Sequence, residues 1–88
     1  MTAKKLPIPA GMLWVAFMPD GFPCGVMNPS HTSGDDPAKA AKEFWETTAG
    51  ALQHLTAGYR LELVPRERWR NELMAIHLGD VPWTGSAA

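Results

Sequence analysis

Seven consecutive residues, Met12 to Met18, are apolar without a polar break. Side chains along a strand alternate between its faces, so Leu13, Val15 and Phe17 look one way and Met12, Trp14, Ala16 and Met18 the other. A strand with one wet face alternates apolar with polar; this one needs cover on both. The segment runs into Pro19-Asp20-Gly21, where Pro presets φ, Asp tolerates the next turn position and Gly accepts the positive φ of a bulged hairpin exit. A return strand over 22–27 follows. Pro23 removes a ladder donor and Gly25 weakens pairing, so this second strand belongs at a sheet edge.

The rest of the chain reads as α-β-α. Asn28 to Asp36 is rich in turn formers. Asp35-Asp36-Pro37 then opens a helix, with Asp36 as cap and Pro37 at the first helical position; the acidic pair is a cap rather than a metal or catalytic pair. Ala41, Phe44, Trp45, Thr48, Leu52 and Leu55 form one apolar stripe, predicting a single long helix that ends at Gly58. Gly50 inside it marks a close approach to the sheet. Tyr59 to Val64 alternates as a third strand, and Pro65 starts a second helix to about Leu78, with Trp69, Leu73 and Ile76 as its buried edge. The expected fold is α+β: one β-β-α-β-α domain over residues 12–79, with a three-stranded antiparallel sheet ordered 2-1-3 and two helices. Residues 1–11 are expected to form a flexible arm and residues 80–88 a flexible tail. The second face of the first strand falls to the C-terminal helix or to another molecule.

Size and charge narrow the function classes. Eighty-eight residues bury only roughly 60–65% of the unfolded surface, so four Trp rings carry much of the core. The net charge of −1 is well mixed, which gives a nucleic-acid role no electrostatic track. Arg60, Arg66, Arg68 and Arg70 are interleaved with Glu62, Glu67 and Glu72 and read as a solvated, salt-bridged face. A single Cys excludes an internal disulfide and fits a reducing cytoplasm. The opening Met1-Thr2-Ala3-Lys4-Lys5 has the outline of a secretory signal, but Pro7 and Pro9 interrupt the apolar run. No stretch reaches membrane-spanning length.

Catalytic and cofactor signatures are weak. Cys24 as a nucleophile needs a base from His31, His54 or His77, yet no local signature surrounds it, and a small buried hydrophobe is the simpler reading. Cys24 and the three His residues lack any short-range ligand spacing, so no metal is expected, and no glycine-rich cradle implies a cofactor. What remains is apolar surface. Phe22 and Asp20 at the hairpin tip, Trp83 in the tail, and secondarily Met12 and Met18 are the candidate partner-binding residues. Trp83 either folds back onto the sheet or docks on a partner.

Three features resemble a loose class of small phage and prophage accessory proteins. They are a strand entering Pro19 to Pro23 (Pro-Asp-Gly-x-Pro), an aromatic helix carrying Phe44-Trp45, and Gly58-Tyr59-Arg60 opening a valine-ended strand. The likeness spans about two-thirds of the chain and carries no site motif. It implies a non-enzymatic inhibitor, in the cytoplasm of a bacterial host, that binds a host or defence protein and occludes it. The alternatives are a homodimeric or assembly subunit using the sheet's open face, and, behind that, a Cys24-dependent enzyme.

Overall fold

The structure, a computed structural model, describes residues 6–83. Strands β1 (Met12–Phe17), β2 (Pro23–Met27) and β3 (Arg60–Pro65) form an antiparallel sheet in the order β2-β1-β3. The turn between β1 and β2 follows its residues. Gly21 N–H donates to the Met18 carbonyl at 2.8 Å across Pro19 and Asp20, and Gly21 takes φ +87°. Asp20 Oδ1 accepts from Phe22 N–H at 3.0 Å, which locks the tip.

Both faces of β1 are covered within the chain. Leu13, Val15 and Phe17 pack with Val64, Trp69 and Leu73; Trp14 and Ala16 pack with Ala40, Ala41, Ala51 and Leu61. The first group lies beneath α3, residues 66–78, whose middle turn, Trp69–Leu73, is π-helical. That widened turn leaves both Trp69 and Leu73 buried on the sheet, while Ile76 is only half-buried. Gly79 ends α3 at φ +83°, and the Asp80 and Gly79 amides close onto the Ala75 and Ile76 carbonyls. The C-terminal helix is therefore the cover for the second face of β1.

The single long helix is two. Helix α1 (Pro37–Phe44) starts as expected, Asp36 accepting from Ala38 N–H at 2.9 Å. It stops at Trp45, Glu46 takes the left-handed φ of +68°, and Thr47 caps helix α2 (Thr48–Thr56) by accepting from Gly50 N–H. Gly50 is required by this turn rather than by the sheet: a Cβ there would lie 2.9 Å from Thr47 Oγ1 and 3.1 Å from the Trp45 carbonyl. The break rotates the expected stripe, so Leu52 is 65% exposed and Leu55 is exposed too, while Ala51 is the buried residue of α2.

The arm is tied down at Leu6. Its N–H donates to the His31 carbonyl and its own carbonyl accepts from His31 Nδ1, both at 2.9 Å. Among the described residues no helix is long and apolar enough to cross a membrane.

Candidate functional site

Four of the five candidate residues meet at one end of the sheet. Met18 N–H donates to the Phe22 carbonyl at 2.9 Å, and Asp20 and Phe22 share the locked turn just described. Trp83 then returns to this tip, its ring edge-to-face on Phe22 with centroids 6.1 Å apart. A Cβ on Gly21 would stand 3.5 Å from the same indole, so the turn glycine forms part of its seat. Of the two readings of Trp83, the fold-back is the one observed, yet the ring remains 36% exposed. The remaining candidate, Met12, pairs with Pro65 at the opposite end of β1, about 20 Å from Met18 at strand rise. It belongs to a different surface.

The structure adds residues to this end that the sequence pattern does not single out. His77 Nδ1 donates to the Pro23 carbonyl at 2.9 Å and its ring leans on Trp69, which holds the end of α3 against β2. Leu78, 62% exposed, and the exposed Met74 sit one turn apart on the outer side of that helix. Val81, also exposed, follows after the Gly79 turn, its N–H bonded to the Ala75 carbonyl. Residues 84–88 of the tail lie outside the described residues.

A second aromatic group surrounds the α1–α2 break. Trp45 and His54 stack at 4.6 Å and 10°, Tyr59 meets both edge-on, and Phe44 meets Trp45 edge-on at 5.1 Å. His54 Nδ1 also donates to the Gly50 carbonyl. These rings fill one another's faces, so the group braces the break and leaves no open cage for a ligand.

Comparison with known proteins finds no family model, no curated protein and no solved structure that matches this chain. Cys24 donates its thiol to the Ala16 carbonyl at 3.4 Å. Burial pushes its pKa up, the negative charge of Asp20 adds to that, and a backbone hydrogen bond offsets part of it. An activated nucleophile is shifted the other way. Cys24 is accordingly expected to react with iodoacetamide at pH 8 several-fold more slowly than the same thiol in the urea-unfolded chain. An equal or faster rate in the folded protein would show an activated thiol instead.

No group of three His, Cys, Asp or Glu among the described residues is close enough to hold a metal ion. A depression of about 300 Å³ beside the start of α3 is lined by Pro65, Glu67, Arg68, Asn71 and Glu72. It is wide open, charges of both signs line it, and it presents no nucleophile.

Proposed function

We propose that this protein is a small, non-enzymatic binding module that acts by occluding a partner protein, and that its contact surface is the Phe22–Trp83 end of the molecule. The observation that carries the reading is the seating of Trp83. A large ring from the tail returns to the hairpin tip, keeps a third of its surface in water, and sits on a turn locked by its own hydrogen bonds. Contact surfaces that bind well are pre-ordered aromatic anchors ringed by further apolar side chains. Leu78, Met74 and Val81 are further exposed apolar side chains in the same C-terminal stretch.

The partner's chemistry follows from these groups. It presents an apolar slot for the Trp83 and Phe22 edges, with a basic or hydrogen-donating rim opposite exposed Asp20. The resemblance of the hairpin and helix motifs to small phage accessory proteins supports a bacterial host or defence protein of the cytoplasm as that partner. The sheltered β1 supports none of this, because its faces are filled by α1, α2 and α3.

The test is quantitative capture from a bacterial lysate followed by affinity measurement on the retained protein. Trp83→Ala and Phe22→Ala are each expected to weaken binding by about tenfold or more, and Met12→Ala, at the far end, to leave it unchanged. Far-UV circular dichroism confirms that each variant is folded. A retained protein that both tip variants hold as tightly as the wild type would overturn this surface.

A further inference from the structure

We infer that two copies of this chain associate edge to edge through β3, forming one continuous six-stranded sheet with Leu61 of one copy opposite Leu61 of the other. Strand β3 is an edge of the sheet. Arg66 N–H donates to the Gly11 carbonyl, and the register runs Met12↔Pro65 to Phe17↔Arg60. In an antiparallel ladder, alternate residues turn both peptide groups toward the partner strand. Arg60, Glu62 and Val64 therefore face β1, and the peptide groups of Leu61 and Leu63 face outward. No hydrogen bond among the described residues reaches the outer N–H or carbonyl of Leu61. The unpaired groups of an edge strand are a template for a further strand, and a second copy of β3 supplies one.

The charges identify the occupant as a second copy and select the register. Pairing two β3 strands antiparallel requires outward residues opposite outward residues, which leaves a symmetry centre at one whole residue. A centre on Glu62 sets Glu62 against Glu62, a centre on Arg60 sets Arg60 against Arg60, and a centre on Leu63 sets Arg60 against Arg66. Only the centre on Leu61 places Arg60 of each copy opposite Glu62 of the other, and it does so twice. Opposite charges directly across a ladder stabilise it, and like charges destabilise it. Arg60 and Glu62 already pair along their own strand and are both about half exposed. The dimer completes them into a ring of four alternating charges. Tyr59 falls opposite Leu63, extending the apolar side of the sheet across the junction.

An edge contact of this size is smaller than a standard interface, so the dimer is dissociable. Sedimentation across a range from about 1 µM to about 1 mM is expected to show a monomer–dimer equilibrium. Glu62→Arg, which leaves the Arg60 stack on Phe17 in place, is expected to raise the dimer Kd by about tenfold or more. The double swap Arg60→Glu with Glu62→Arg restores self-association to within about threefold of the wild type. Mixed with the wild type, the double swap forms no mixed dimer, because like charges then meet across the edge. A chain that stays monomeric throughout, a dimer indifferent to Glu62→Arg, or a double swap that fails to recover would each overturn the proposal. None of these substitutions alters Phe22 or Trp83, so the partner-capture result stands or falls separately.

Discussion

Trp14→Ala is expected to lower stability by about 3–5 kcal/mol, the largest effect of any single truncation in this domain. The indole is 1% exposed and lies among Ala16, Ala40, Ala41, Ala51 and Leu61, with Cys24, Met27, Phe44 and Trp45 at its margin. Three helical alanines make room for one large ring, and they are too short to close in once it is removed. Transfer and cavity terms therefore add. A domain of this length has about 4–13 kcal/mol in total, so the variant sits close to half-unfolded in water at the lower end of that range. Trp14→Phe should behave differently. The Nε1–H of Trp14 is buried and has no hydrogen-bond partner among the described residues, and such a donor costs about 1–3 kcal/mol. Both variants remove it, but Phe also keeps a ring in the site and leaves a much smaller cavity, so Trp14→Phe is expected to cost under half of what Trp14→Ala costs. Urea unfolding of the two variants reads both numbers. Equal losses would mean that a phenyl ring recovers none of the packing of the indole; a loss below about 1 kcal/mol for Trp14→Ala would remove Trp14 from the core.

The sheet was legible because each strand declares its place through a physical restriction. Pro23 and Gly25 cannot serve in a central strand, and seven apolar residues in a row cannot serve at an edge. The order β2-β1-β3 follows from those two facts. The helical layer was less legible. Nothing at Glu46 announces a left-handed residue, since neither Gly nor Pro stands there, and the apolar spacing from Ala41 to Leu55 suits an unbroken helix. The readable mark was Thr47, a capping side chain in the middle of the run. An unbroken helix also hides the Trp45–His54 stack, because residues nine apart lie about half a turn from each other around a helix axis. The π-helical turn of α3 is equally silent in Trp69-Arg70-Asn71-Glu72-Leu73.

The candidate site was legible in its parts and not in its assembly. Phe22 beside a turn and Trp83 in a tail each stand out as large rings with little local structure to bury them. Their contact depends on the Gly79 turn redirecting the chain after α3, and on His77 fixing α3 to Pro23. Sequence spacing encodes neither. Strand alternation groups Met12 with Met18, because it reports the face of a residue and not its distance along the strand. Leu78, Met74 and Val81 carry no sequence signal of this kind, because helical periodicity picks out a buried edge and says nothing of apolar residues left outside it.

Gly25→Val is expected to cost about 3 kcal/mol, by over-packing rather than by loss of contact. Gly25 lies opposite Ala16 on β2, and a Cβ built on it would stand 2.6 Å from Phe44 Cζ. That separation is far inside van der Waals contact, and Val adds two methyl groups beyond it. Phe44 has little room to retreat: it ends α1, abuts Trp45 edge-on, and packs on the same cluster as Trp14. The chain therefore trades a weak strand residue for close approach of helix to sheet, which is the use of glycine that its edge position permits. The double-mutant cycle with Phe44→Leu isolates this contact. Phe44→Leu alone loses ring burial, but in the Gly25→Val background it also removes the colliding ring edge, so the double variant should be more stable than the sum of the two losses by about 1–2 kcal/mol. Strict additivity in urea unfolding would mean that α1 does not press on β2 at Gly25, and that the aromatic end of α1 is held by Trp45, His54 and Tyr59 alone.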